Sequence, residues 1–428
     1  MHSTAHRKRR GRRGRTAMAV MAAATLTLGL AACTNASTGT DSSPSAAAPS
    51  DPARAAQIDQ IVAVVEQAIA DQSLGAVIVQ VQIGDEVLMT EAFGESITGV
   101  PATTDMHFRN GAVAFQYVTN LLLQYVDDEI VTLDDTIDEW VPELPDSDSV
   151  TLRMLTNQTS GYPDFETDPG WNAAYNDDPF HEFTYQERID YAFSRPSQFE
   201  PGTNWSYAHT NFMILGHILE MVGGAPLDQL LQETVLTPMG LTETASYASA
   251  FIPEPVLHSF SSERRAPLGI ADDVAFLEES TFWNPAWGTP VGAAQTTTIG
   301  DMTKTAIAIG TGALLSEESF HEMTDSQLIG FGEQLDVCAP SCFTQVDGYN
   351  YGLGVVRSGD WILQNPLLSG YSAAEAYLPS QRIAISVANT FAAGAFSSDG
   401  AYANASDALF RQIGAIVAPG DAPPTHKK

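Results

Sequence analysis

The chain has 428 residues, 44% of them apolar, enough to bury a large core and to fill two or three domain-sized units by length alone. Its 20 basic residues stand against 52 acidic ones, a net charge of −32. That balance excludes nucleic acid as a partner, since no basic footprint remains to neutralise phosphate, and it favours solubility.

The first 33 residues read as an export signal. Arg7, Lys8, Arg9, Arg10, Arg12, Arg13 and Arg15 precede an apolar run over residues 17 to 30 that is too short and alanine-rich to span a bilayer comfortably. The run ends Leu30-Ala31-Ala32-Cys33, which resembles the lipobox of bacterial lipoproteins. There the cysteine thiol receives a diacylglyceryl group and, after cleavage, becomes the new N-terminus. The resemblance implies an exported chain, lipid-anchored through Cys33 to the outer face of the cytoplasmic membrane. Seven of the 20 basic residues and none of the acidic ones precede Cys33, so the remainder carries 13 against 52 and a net of −39. Residues 34 to 54, rich in Ser, Ala, Thr and Pro and without apolar periodicity, form an expected tether.

Ile58, Ile61, Val62, Val65, Ile69 and Ala70 recur at helical spacing and predict a helix over 53 to 72. An apolar run over 76 to 83, a Gly84-Asp85 turn and Val87-Leu88-Met89 predict a hairpin. A long apolar helix is expected over 112 to 126, then helix and loop, punctuated by Pro, Asp and Asn, over 142 to 290. Residues 351 to 356, 361 to 363, 373 to 378 and 382 to 388 read as successive antiparallel strands, and 405 to 417 as a closing helix. This order implies an α/β domain over 55 to 417. Its antiparallel sheet is flanked by the N- and C-terminal helices, with a mainly helical lobe inserted over about 111 to 290. Residues 418 to 428 are expected to fray. Cys338 and Cys342 are expected to pair in a small-loop disulfide after export rather than bind metal, as no histidine stands nearby.

Several ordered strings carry more information than this patterning. They are Leu152-Arg153-Met154-Leu155-Thr156-Asn157-Gln158-Thr159-Ser160-Gly161-Tyr162-Pro163-Asp164-Phe165, Pro201-Gly202-Thr203-Asn204-Trp205-Ser206-Tyr207-Ala208-His209-Thr210-Asn211-Phe212, Leu236-Thr237-Pro238-Met239-Gly240-Leu241, and Leu368-Ser369-Gly370-Tyr371-Ser372. Together they resemble the serine β-lactamase-related family, which includes class C β-lactamases, D-alanyl-D-alanine carboxypeptidases and esterases. The resemblance spans residues 55 to 417 and implies a β-lactamase/transpeptidase-like fold. It also implies a site for acyl transfer: a Ser-x-x-Lys at a helix start, a Tyr-x-Asn element and a Lys/His-x-Gly strand, with backbone N–H groups as the oxyanion hole.

The chain departs from that pattern at all three places. Ser-x-x-Lys is replaced by Ala112-Val113-Ala114-Phe115, and Tyr-x-Asn by Tyr207-Ala208-His209. Counting back from Gly370, the strand motif falls on Gln364-Asn365-Pro366. Lys304, the one lysine between Cys33 and the tail, is preceded at the required spacing by Asp301, and no Ser-x-x-Lys occurs anywhere. Gly-x-Ser-x-Gly and phosphate-loop strings are also absent, and the zinc-like His181-Glu182 and His321-Glu322 strings lack a second histidine. Without a serine at Ala112, the family's acyl-enzyme cannot form there; in a serine protease that loss alone costs on the order of 10⁶ in kcat. The expectation is a pseudoenzyme with no cofactor and no metal. Its cleft of Ala112, Phe115, Tyr207, His209, Gln364 and Asn365 would hold a cell-wall fragment, another small molecule or a protein ligand. The alternatives are a hydrolase rearranged around Tyr207 and His209, and an interaction scaffold whose cleft is filled by side chains.

Overall fold

The computed structural model describes residues 51–247, 249–285 and 288–425; the export signal, Cys33 and the tether up to residue 50 lie outside the described residues. Five helices carry the architecture: α1 (Pro52–Gln72), α2 (Ala114–Asp127), α3 (His209–Gly223), α4 (Ile299–Gly310) and α5 (Ala405–Val417). Five strands do the same: β1 (Leu74–Ile83), β2 (Glu86–Ile97), β3 (Trp361–Gln364), β4 (Tyr371–Leu378) and β5 (Ile383–Phe391). Helix α1 begins inside the stretch expected as tether, because the Asp51 side chain accepts the Ala53 N–H and Pro52 suits a first helical position.

The main sheet is antiparallel, in the order β2-β1-β5-β4-β3. Val100–Pro101 extends one edge, Val356–Ser358 and Asn350–Tyr351 the other, and Leu367–Leu368 pairs with the start of β4. Alternate side chains sort to opposite faces, as strand geometry requires. Val77, Val79 and Val81 of β1, Ala374 and Ala376 of β4, and Ile385 and Val387 of β5 pack with α1 and α5 through Ile61, Val65, Leu409, Phe410 and Ile413. Ala76, Ile78, Ala373 and Ala388 face α4 through Ile299 and Met302. A sheet covered on both sides explains why β4 and β5 are buried at every position.

The inserted lobe centres on α2. Ten consecutive residues, Ala114 to Leu123, are buried, and α3 is buried almost as completely over Thr210 to Leu219. A helix covered all round needs no amphipathic stripe, only partners on every side. The lobe is helical over a shorter span than the sequence predicts. After Gln232–Leu236 the chain runs through short strands, Ala245–Tyr247, Phe260–Ser261, Glu278–Glu279 and Ala294–Thr297. Ala294–Thr297 pairs with both Phe108–Arg109 and Ala245–Tyr247, a long-range pairing that no local periodicity announces. Helix α4, which the sequence reading did not anticipate, starts at a Thr298 cap that accepts the Asp301 N–H.

The end of the chain also differs from expectation. Trp361 Nε1 donates to the Asp421 carbonyl at 2.8 Å, and the Arg411 guanidinium donates to the Pro424 carbonyl, so the chain is held at Asp421 and Pro424. Among the described residues no helix is long and apolar enough to cross a membrane.

The alanine-rich sheet face lets α4 approach closely. A Cβ on Gly310 would stand 2.3 Å from Tyr377 Cδ1, and Tyr377 is itself buried. Gly310→Ala gains about 1 kcal/mol of helix propensity but overpacks a ring that cannot retreat, a cost of about 1–3 kcal/mol. Urea unfolding should show a net loss of stability; a more stable variant would mean that α4 stands off the sheet.

Candidate functional site

Strand Phe108–Arg109, paired to Thr297 and Thr296, delivers the chain to a single turn, Gly111–Val113, that runs into α2. Gly111 has φ +51, and a Cβ there would lie 2.7 Å from Pro366 Cβ and 2.9 Å from Leu368 Cδ2. The start of α2 is therefore pressed against the segment leaving β3. Beside this contact opens a cleft of about 440 Å³, lined by Ala112, Tyr207, His209, Gln364, Asn365 and Pro366 among others. Sequence positions 112, 207, 209 and 364 to 366, scattered along the chain, thus meet at one place.

Phe115 is the exception to the expected lining. It lies behind the wall, fully buried, with its ring stacked on Phe212 at 3.9 Å between centroids and 7° between planes. Three residues beyond Ala112 it shares that helical face, but its ring is taken up by the lobe core through the stack on Phe212. Tyr207 and His209 border the same ring at 6.2 and 6.0 Å.

The other motif positions are also tied into the fold. Gln364 Nε2 donates to the Gly354 carbonyl at 2.8 Å. Gly354, with φ +66, passes so close to α2 that a Cβ would meet Thr119 Oγ1 at 2.1 Å. Asn365 Nδ2 donates to Asp407 Oδ1, and the Asn365 carbonyl accepts from Asn404 Nδ2. Ser160 Oγ donates to Asn211 Oδ1 and Ser372 Oγ to Asn389 Oδ1, while Ser369 Oγ lies 3.1 Å from the Tyr175 hydroxyl. These serines serve the packing. Tyr207 keeps the family's phenol, but burial, followed by Tyr351 and Tyr349 nearby, pushes its pKa well above the usual value. At neutral pH it is a protonated donor and not a base.

The Tyr207–His209 segment is set by Gln158, a left-handed residue (φ +69) whose Oε1 accepts the Ala208 N–H. From the other side, the Ser341 carbonyl accepts the Tyr207 N–H. Ser341 belongs to the loop closed by the Cys338–Cys342 disulfide, and Pro340, Ser341 and Phe343 line the cleft.

One polar group in the wall was not anticipated. His209 Nδ1 lies 2.9 Å from Asp164 Oδ2 and 3.1 Å from Glu166 Oε2. Burial, then the Asp164 charge, raises the Glu166 carboxyl well above its usual range, and Arg188 opposes this only partly. The three side chains offer one ligand atom each within 4.8 Å of one another, a set that could hold a metal ion. Asp164 and Glu166 sit in a loop some 45 residues from His209 in sequence. No short motif of the zinc type relates them: Asp164 and His209 fall within two separate ordered strings, and Glu166 falls outside both.

Two stability tests follow from this geometry. Phe115→Ala removes a fully buried ring and should destabilise the protein by about 3–5 kcal/mol in denaturant titrations; a cost near zero would place Phe115 outside the core. Replacing Cys338 by Ser should cost about 2 kcal/mol, the chain entropy of so short a loop, and lower the melting temperature by several degrees. An unchanged melting curve would mean that the cleft-lining loop is held by other contacts.

Comparison with known proteins agrees with this architecture. The family model described as Beta-lactamase matches residues 61–409. A penicillin-binding protein of Bacillus subtilis (strain 168) is 27% identical over 179 residues, 41% of this chain and 39% of that protein. Penicillin-binding protein 4 of Amycolatopsis lactamdurans is 32% identical over 166 residues, 37% of this chain and 40% of that one. The chain thus matches about two fifths of the length of these curated relatives. Among solved structures, D-amino acid amidase from Ochrobactrum anthropi SV3 superposes with a TM-score of 0.70 at 21% identity, over 85% of this chain and 99% of the amidase. With the family model covering most of its length and the sheet, helical lobe and cleft in place, the chain belongs to the beta-lactamase family of serine hydrolases.

Proposed function

We propose that this protein is a pseudoenzyme of its family. On this reading it binds a cell-envelope ligand in the retained cleft and does not acylate it. The observation that carries the proposal is how the motif positions are used. Ala112 has no nucleophile, Phe115 is locked on Phe212, Gln364 is bonded to Gly354, and Pro366 is wedged against Gly111. A cleft of about 440 Å³ nonetheless remains, which favours a ligand-binding protein over a filled scaffold. The first turn of α2 still presents backbone N–H groups and the positive end of a helix dipole beside Ala112, suited to an unreacted carbonyl or carboxylate. Export and lipid anchoring through Cys33 would place that cleft at the outer face of the cytoplasmic membrane, where cell-wall fragments are the available ligands.

A second reading, a hydrolase rearranged around Tyr207 and His209, draws support from the 2.9 Å approach of His209 to Asp164, the orientation of an imidazole by a carboxylate. Against it, no hydroxyl or thiol is placed by motif to be activated, and Tyr207 is held protonated.

The two readings separate on exposure of the purified protein to a fluorescent penicillin and to activated esters, with Ala112→Ser/Phe115→Lys as comparator. The expected result is no covalent label and no turnover in the natural chain. The comparator should gain little, because Phe115→Lys places a cation in an apolar core, a desolvation cost of several kcal/mol. Turnover that survives purification and disappears in Tyr207→Phe or His209→Ala would establish the rearranged hydrolase and overturn the pseudoenzyme.

A further inference from the structure

We infer that Asp164, Glu166 and His209 form a binding site for one divalent transition-metal ion of the zinc or manganese type, in the wall of the cleft. The inference stands on geometry alone and holds whether the cleft binds or hydrolyses its ligand.

Two carboxylates converge on a single ring nitrogen. Asp164 Oδ2 and Glu166 Oε2 lie 2.9 and 3.1 Å from His209 Nδ1. A single N–H serves one acceptor well, not two. Two ligands held at about 2.1 Å and at right angles around one ion stand about 3.0 Å apart, close to both measured edges. One imidazole nitrogen and two carboxylate oxygens on one triangular face suit first-row ions that accept mixed N/O donors.

The surroundings show an unmet demand for positive charge. Among the described residues neither carboxylate forms an ion pair with an arginine or lysine; His209 is the sole cationic candidate. Arg188 is close but turned away, with Nη1 on Met213 Sδ and the Thr289 carbonyl and Nη2 on the Phe183 carbonyl. Arg195 reaches the Asp164 carbonyl and Thr167 Oγ1 instead. Asp164 Oδ1 is occupied by the Glu166 N–H. Glu166 Oε1, by contrast, is inaccessible to solvent and has no hydrogen-bond partner. A buried carboxylate oxygen without a hydrogen-bond partner is costly, and a bound cation beside it removes that cost.

Of the three side chains, His209 reaches the cleft. His209 and Gly288 both line it, and a Cβ on Gly288 would stand 3.7 Å from Glu166 Oε1 and 3.9 Å from His209 Cδ2. With glycine at 288 no side chain from that residue covers the triad, so remaining coordination positions can take water or an oxygen of the ligand.

The test uses the whole purified chain, stripped with chelator and titrated separately with Zn²⁺ and Mn²⁺ by calorimetry and equilibrium dialysis. One ion per chain is expected, bound at least about tenfold more weakly by Glu166→Gln and His209→Ala. The melting temperature should rise with metal in the natural chain and not in these variants. Replacement by Co²⁺ should give a visible absorption band that His209→Ala removes. Asp164→Asn serves as the second variant if His209→Ala does not fold, and cooperative melting in chelator identifies the variants that do. Binding of several ions with equal weakness by all chains would mark adventitious binding to an acidic surface and overturn the site. So would no stoichiometric binding, or binding unchanged by all three substitutions.

Discussion

The stack of Phe115 on Phe212 is the contact on which the rest of this site depends. It joins α2, the helix buried on all sides, to α3, the helix that carries His209 at its first position. In the family pattern the corresponding position of α2 holds a lysine, a cation that must be kept solvated or paired inside the domain. A phenyl ring removes that demand and closes the lobe core up to the cleft wall. Once the core is apolar there, a serine at position 112 would have no base behind it. The two losses therefore reinforce each other energetically, whichever came first.

The same logic runs through the strand side. A lysine or histidine on the segment leaving β3 would need space at the start of α2, but Pro366 fills that space against Gly111. Gln364 turns its amide to the Gly354 carbonyl, fixing the loop that crosses α2. Groups that would contact a reacting substrate in a relative contact the protein itself here. On the proposed reading, the cleft keeps its walls while Ala112 and Phe115 supply neither the nucleophile nor the lysine of the family pattern. Fold and activity separate cleanly in such a case, since the first needs buried area and the second needs particular atoms.

Much of this was legible in the sequence because the relevant signals are local or ordered. The strand-like runs of β1, β4 and β5, the apolar spacing of α1 and the closing helix α5 announce the sheet and its covering helices. The string through Trp205, Tyr207 and His209 marks one wall of the cleft. Long-range pairing was not legible. Ala294–Thr297 becomes a strand because Phe108–Arg109 and Ala245–Tyr247 flank it, and nothing within 290 to 300 says so. The burial of Phe115 behind the wall depends on Phe212, a partner almost a hundred residues away. The Asp164, Glu166 and His209 group escaped for a related reason: a search for histidine pairs at fixed spacing is blind to ligands that only the tertiary fold assembles.

Electrostatics ties the cleft and its acidic wall together. Arg411 is engaged by Asp407 through Nε at 2.9 Å, and Arg109 directs Nη2 to the Ala250 carbonyl at 2.6 Å. An anionic ligand entering the cleft meets the Arg109 and Arg411 guanidiniums and the helix start at Ala112, with the Asp164 and Glu166 carboxylates behind His209. The net charge of −32 opposes its approach from a distance. A divalent ion on Asp164, Glu166 and His209 would add positive charge at His209 and offer a ligand oxygen a coordination position. It would also give the buried Glu166 Oε1 carboxylate a cation beside it.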